Sequence, residues 1–300
     1  MKRQFKNWMA LLLLIFFILA GVLLYRVGNT FSSANLSKSE SLILNKQISS
    51  DHYLLKSRNG SEIYRKGETQ RISIASLTKI MTAICIIEHA TGLDQSVTVP
   101  QNIFFEIEQN NLAVAGLMLG EKISYWDLLH GIILPSGADA TLTAALGICE
   151  DEQSFVEIMN EKAAQLGMTA THFANSTGLD AAGHYSTIKD MMILLEYALK
   201  NDSFYQIFTS LNYQGSATNR HPEGNYFTSS MISRGESLEL SKGNIIGGKT
   251  GYTPKAGLCL ASLAEIDGEE YLLIIAGCKG SDESKQFNVI ESRTFYNSIQ

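Results

Sequence analysis

Ser76-Leu77-Thr78-Lys79 sets a hydroxyl and an amine three residues apart. On a helix such residues share a face, so the amine can approach the hydroxyl. An alcohol is a weak nucleophile until a base takes its proton. A lysine serves as that base only when burial, a neighbouring cation or a helix N-terminus lowers its pKa. Ile80 and Met81 follow Lys79 and supply a largely apolar setting. The first turn of a helix also leaves backbone N–H groups unpaired, so the Ser76 N–H can help hold an oxyanion.

Two further groups complete a pattern. Ser136-Gly137-Ala138-Asp139-Ala140 falls in a break between two predicted helices, where a hydroxyl can relay a proton. Lys249-Thr250-Gly251 lies on a predicted strand. Its amine and hydroxyl suit a substrate carboxylate, and its glycine clears room for a peptide beside the strand edge. Taken singly, each group has an ordinary reading: an exposed serine with a solvated lysine, a Pro-Ser-Gly turn with a capping serine, a turn at a strand end. Their conjunction, in the order helix start, helix break, strand, points to serine acyl transfer.

The elements that must carry these groups follow from local pattern. Ala75 to Ala90 reads as a buried helix closed by Gly92. A helix from about Tyr125 to Leu134 begins at Ser124 and Asp127, a capping-box-like pair. Pro135-Ser136-Gly137 breaks it, and another helix covers about Asp139 to Cys149. Ser154 with Glu157, and Thr187 with Asp190, open two more helices. Strand signals lie at both ends of this helical stretch. Arg58-Asn59-Gly60 and Asp267-Gly268 are hairpin turns between apolar runs, and a Gly-rich strand covers 244–251. A closing helix from about Glu283 to Ser298 is expected. Strands at both ends with helices between imply an α+β fold, an antiparallel sheet covered by helices.

Composition narrows the function. Residues 1–39 hold five basic residues and no acid; the rest carries 19 basic against 30 acidic residues, a balance of −11. Such a body is a poor partner for nucleic acid, which needs clustered Lys and Arg. Met9 to Tyr25 is an uncharged apolar run preceded by Lys2, Arg3 and Lys6. Its length is at the lower edge of a spanning helix, about 17–25 residues. A cleaved signal peptide is the rival reading. The expectation is an uncleaved transmembrane anchor over 1–26, a linker over 27–40 and a catalytic domain over 41–300. The positive-inside bias places that domain on the extracytoplasmic face of the cytoplasmic membrane.

Four cysteines, Cys85, Cys149, Cys259 and Cys278, do not make a disulfide framework. Each sits in an apolar stretch; one bridge between Cys259 and Cys278 stays open. His184 and Asp190 superficially resemble a zinc-peptidase ligand pair, but their neighbours do not complete a metal motif.

Four stretches carry a family resemblance: 75–83 (Ala-Ser-Leu-Thr-Lys-Ile-Met-Thr-Ala), Leu134-Pro135-Ser136-Gly137, Asn175-Ser176-Thr177-Gly178-Leu179-Asp180 and Gly248-Lys249-Thr250-Gly251-Tyr252-Thr253. From about residue 50 onward the sequence resembles the low-molecular-mass penicillin-binding proteins that act as serine D-alanyl-D-alanine carboxypeptidases. The resemblance implies their fold: an antiparallel sheet flanked by helices, with a helical subdomain. It implies that Ser76 attacks the bond between the terminal D-alanines of a peptidoglycan stem peptide, with Lys79 as base. The amides of Ser76 and Tyr252 would form the oxyanion hole. Ser136 and Lys249 would pass the proton to the leaving D-alanine. Lys249, Thr250 and Gly251 would bind the substrate. β-Lactams would acylate Ser76, and neither metal nor organic cofactor would be needed. Many members carry a further C-terminal β domain, which this sequence is expected to lack.

One position departs from the family. Its second motif reads Ser-x-Asn, and Ala138 stands in place of the Asn. That amide contacts the lysine and a substrate carbonyl, and loss of one such donor costs on the order of 100- to 1000-fold in rate. A catalytically impaired binding or sensing module is therefore the alternative. A β-lactamase is the weaker one, because the 175–180 stretch lacks the Glu-x-x-Leu-Asn setting that positions a deacylating water.

Overall fold

The computed structural model describes residues 48–281 and 283–299. β1 (His52–Ser57) and β2 (Glu62–Lys66) form the first hairpin. Its turn falls at the Arg58-Asn59-Gly60 signal, where the Gly60 N–H reaches Ser57 O at 3.3 Å. A 3-10 turn (Ala75–Leu77) leads into α1 (Thr78–His89). A short strand pair, β3 (Ser96–Thr98) and β4 (Lys122–Ser124), brackets α2 (Asn102–Gln109). Then come α3 (Tyr125–Ile133), α4 (Ala138–Ile148), α5 (Glu152–Gln165), α6 (Ile188–Ala198) and α7 (Asp202–Phe208). A second short pair, β5 (Asn212–Gln214) with β6 (Tyr226–Thr228), precedes β7 (Glu239–Leu240), β8 (Gly243–Thr253), β9 (Gly257–Ile266), β10 (Glu269–Cys278) and α8 (Phe287–Asn297).

The main sheet has the order β2-β1-β10-β9-β8-β7, and every neighbouring pair is antiparallel. Chain ends far apart in sequence thus meet in one sheet, with the helices inserted between, as the expected α+β architecture requires. Asp267 and Gly268 join β9 to β10 with φ of 51° and 82°. Two positive φ values in a two-residue loop match the right-handed twist of the strands it joins. β9 is buried continuously from Leu258 to Ala264 because both sheet faces are covered. On one face α8 packs Phe295 and Tyr296 with Tyr53, Leu55 and Leu260. On the other lies the larger core, shared by α1, α3, α4 and α6.

α1 is buried without interruption from Thr78 to Ile86, so the helix that carries the Ser-x-x-Lys pair runs through this larger core. A helix apolar on every side belongs in an interior, and here it gives the site a rigid base. Ser124 and Thr187 cap α3 and α6 as expected, accepting from the N–H groups of Asp127 and Asp190 at 3.1 and 3.0 Å. α5 starts earlier than expected. Its cap is Asp151, whose carboxylate accepts the Ser154 N–H at 2.7 Å, so Ser154 is inside the helix rather than at its cap. α8 begins at Phe287, four residues after the expected start. α2 and α7 are short amphipathic segments that local pattern did not mark.

The apolar run of residues 9–25 and the linker lie outside the described residues. Among the described residues no helix is long and apolar enough to cross a membrane. All four cysteines are free; Cys259 and Cys278 stand on neighbouring strands as thiols.

Candidate active site

Ser76 sits in the 3-10 turn one helical turn before Lys79. The Lys79 Nζ donates to Ser76 Oγ at 3.1 Å and to Thr177 O at 2.7 Å. Lys79 is 2% exposed. Burial pushes its pKa down to about 7, against an opposing pull from Asp139. A substantial share of Lys79 side chains is therefore unprotonated near neutral pH. In that form its nitrogen can accept a proton from the Ser76 hydroxyl at hydrogen-bond distance.

Ala75, just before Ser76, has φ of 47°, a left-handed conformation unusual for alanine. Thr78 Oγ1 donates to Ala75 O at 2.8 Å and helps hold it. The turn of 175–179 packs directly on the same peptide. A Cβ on Gly178, whose own φ is 90°, would come within 2.1 Å of Ala75 O. Asn175 shapes that turn by accepting the N–H groups of Gly178 and Leu179 at 2.7 and 3.1 Å. The turn thus aims Thr177 O at Lys79 and braces the backbone that presents Ser76.

β8 closes the opposite wall. A Cβ on Gly251 would lie 3.0 Å from Ser76 N and 3.1 Å from Ala75 Cβ, so the strand approaches Ser76 more closely than a larger residue allows. Ser76, Lys79, Ser136, Ala138, Thr177, Ser230, Thr250, Gly251 and Tyr252 all line one cleft of about 630 Å³. The two residues assigned to the oxyanion hole, Ser76 and Tyr252, are both on its wall. Ser136 holds φ of 66° at the break between α3 and α4. Its neighbour Ala138 donates its N–H to Ala113 O at 2.7 Å, which draws the 110–113 loop onto the cleft.

Lys249 is placed differently from the other sequence-predicted residues. It does not line the cleft; its side chain is fully buried, and Nζ donates to Thr250 O at 2.7 Å. Burial and the positive charge of Lys79 hold its pKa well below the ordinary lysine value. Its neighbour Thr250 does face the cleft, and its hydroxyl is hydrogen-bonded to that of Ser230.

Sequence reasoning missed several supporting groups. The Asp139 carboxylate accepts the N–H groups of Ala115, Gly116 and Leu117 at 2.7, 2.9 and 2.9 Å, and so folds the loop beside the cleft. It is the negative charge that acts on Lys79. Its place beside Ala138 was the available signal. Ser230 and Thr177 carried none beyond their neighbours. His184 and Asp190 part company: His184 bonds Thr78, whereas Asp190 accepts from Ala170 N and Thr171 Oγ1.

Comparison with known proteins gives a consistent result. A family model described as D-alanyl-D-alanine carboxypeptidase matches residues 37–280. The D-alanyl-D-alanine carboxypeptidase DacF of Bacillus subtilis is 29% identical over 234 residues, which are 77% of this chain and 57% of that protein. The D-alanyl-D-alanine carboxypeptidase of Streptomyces sp. strain K15 is 30% identical over 224 residues, 72% of this chain and 76% of that one. Among solved structures, the Streptomyces K15 DD-transpeptidase aligns with a TM-score of 0.71 at 26% identity, covering 83% of this chain and 97% of that one. The chain thus spans little more than half of the Bacillus relative and about three quarters of the Streptomyces one.

Proposed function

Since this chain belongs to the D-alanyl-D-alanine carboxypeptidase family, we propose that it is a serine carboxypeptidase removing the terminal D-alanine from peptidoglycan stem peptides through an acyl-enzyme on Ser76. The observation that carries the proposal is the buried Lys79 amine, 3.1 Å from Ser76 Oγ, at the floor of a cleft walled by β8. Unprotonated Lys79 takes the Ser76 proton as Oγ attacks the D-Ala carbonyl carbon. The carbonyl oxygen, now an oxyanion, is received by the N–H groups of Ser76 and Tyr252. As the C–N bond breaks, the proton passes by way of Ser136 to the leaving amine. Water then attacks the ester and restores Ser76. The Thr250 hydroxyl suits the terminal carboxylate. Lys249 sits behind β8 rather than on the cleft wall, its own amine held below the ordinary lysine value by burial and by the charge of Lys79.

Among the described residues no carboxylate lines the cleft, and Asp139 is occupied by backbone N–H groups. That supports slow hydrolysis of a penicilloyl ester and speaks against the β-lactamase reading. Ala138 supports a second reading, a binding or sensing module with weak turnover. One assay separates them: release of D-alanine from a peptide ending in D-Ala-D-Ala, with Ser76→Ala as the blank. Release above the blank supports the carboxypeptidase; penicillin labelling of Ser76 without release supports the sensor.

The basic residues ahead of the apolar run of 9–25 support anchoring in the cytoplasmic membrane, with the catalytic domain on its outer face. Extraction of intact membranes with alkaline carbonate tests this, because a spanning anchor resists it and a cleaved product is released.

A further inference from the structure

Behind the nucleophile lies a buried hydrogen-bond chain that takes no part in the chemistry above. His184 is 2% exposed and packs edge-on against Phe173. Its Nδ1 accepts the Ala174 N–H at 3.1 Å, and its Nε2 lies 2.8 Å from Thr78 Oγ1. Thr78 gives its own hydroxyl proton to Ala75 O. The protons can be arranged in one way only. Nδ1 is bare, Nε2–H donates to Thr78, and Thr78 donates to Ala75. A second proton on the ring would face the Ala174 N–H donor to donor.

The two ends of this chain are the two parts that set the dyad. Ala174 opens the turn that supplies Thr177 O to Lys79 and packs Gly178 onto Ala75. Ala75 holds a left-handed φ immediately before Ser76. We infer that the His184 imidazole is a positioning residue, which ties the 174–179 turn to the start of α1 through Thr78 and thereby fixes the distance between Ser76 Oγ and Lys79 Nζ. The inference rests on Ser76 being the nucleophile and Lys79 its base.

Its consequence is electrostatic as well as geometric. Burial is the largest cause of the lowered Lys79 pKa, and the 174–179 turn contributes to that burial. Loosening the turn hydrates Nζ and moves the pKa back up. The charged group acting on Lys79 is Asp139 from α4, and Lys79 in turn acts on Lys249 of β8. Those acting on His184 are Asp180, His172 and Lys255. His184 itself, depressed to about 4 by burial, stays neutral across the assay range.

The test measures Ser76 acylation by benzylpenicillin on the full chain, by time-resolved intact mass, from about pH 5.5 to 9. Wild type, His184→Leu, His184→Gln and Thr78→Val are compared, with the folded fraction of each taken from circular dichroism. His184→Leu and Thr78→Val are expected to raise the midpoint of the pH limb by about one unit. That shift alone slows acylation about fivefold at pH 7. His184→Gln keeps an N–H for Thr78 and is expected to recover at least half of the lost rate. Wild-type midpoints in both His184→Leu and Thr78→Val, with losses matching only the unfolded fraction, overturn the inference. So does a Gln variant no better than Leu. Thr78→Val is isosteric and decides the matter if loss of the imidazole prevents folding. Wild type that penicillin does not acylate at all refutes the Ser76 reading instead.

Discussion

Replacing Lys79 by methionine should abolish acylation and stabilise the fold in acid, and the size of the second effect follows from the structure. Burial takes the lysine pKa from 10.5 to about 7. At about 1.4 kcal/mol per unit, holding the charged amine inside costs on the order of 5 kcal/mol. The sign follows from linkage. Between these two values the unfolded chain binds more protons than the folded one, so wild-type stability rises with pH there. The burden is complete below about pH 7. By about pH 9 it has fallen to roughly 2 kcal/mol, the free energy of deprotonating an ordinary lysine at that pH. Methionine removes the burden but leaves Thr177 O without its partner, a loss of about 1–3 kcal/mol. The variant should therefore be more stable than wild type by about 2–4 kcal/mol near pH 6 and close to equal near pH 9. Urea unfolding at the two pH values reads both differences, and penicillin labelling reads the loss of chemistry. A variant less stable than wild type near pH 6, or a difference that ignores pH, would refute the claim that Lys79 is a buried amine with a depressed pKa.

Three further outcomes follow from the same site. Gly178→Ala should lose acylation and at least about 2 kcal/mol of stability, since its methyl would meet Ala75 O at 2.1 Å and φ is 90°; urea unfolding and labelling check it. Ala138→Asn should raise the acylation rate on the order of tenfold or more by returning an oriented amide to the cleft, and an unchanged rate would show that the missing amide is not limiting. The penicilloyl-enzyme should persist for many times its formation time, because the cleft wall carries no carboxylate among the described residues to activate water; the decay of its mass adduct measures this.

The dyad was legible because its determinant is local. Three-residue spacing on an apolar helix needs no knowledge of the rest of the chain, and the Asn-Gly and Asp-Gly turns are equally self-contained. The α+β architecture followed from strand signals at both ends of a helical stretch. Lys249 shows where such reading stops. The sequence assigns it to the substrate strand, but whether its amine faces the cleft depends on the path of β8 and on what packs behind it. The shift of register between Ile245 and Gly247 is not written in local pattern. His184 shows the same limit from the other side. Its contact with Thr78 joins residues 106 positions apart, and its spacing from Asp190 invited comparison with a metal pair it does not form. Asp139 was read as the start of a helix, while its carboxylate organises a loop more than twenty residues upstream.

Strain in this chain is not scattered. Among the described residues, four other than glycine have positive φ: Ala75, Asn111, Ser136 and Asp267. Asp267 belongs to a hairpin turn that favours that conformation. Ala75 directly precedes Ser76, and Asn111 and Ser136 line the same cleft. Such residues cost of order 1–3 kcal/mol each and persist only where their surroundings over-determine them. For Ala75 those surroundings are identifiable: the Thr78 hydroxyl on its carbonyl, Gly178 against the same oxygen and Gly251 against its methyl. The two buried amines add an electrostatic cost in the same region. A fold under selection for stability alone would relax every one of these features, by glycine at 75 or by apolar residues at 79 and 249. Their concentration around one hydroxyl is what a preorganised nucleophile requires. The buried first two turns and more of α1, Thr78 to Ile86, and the sheet covered on both faces are what make that concentration sustainable.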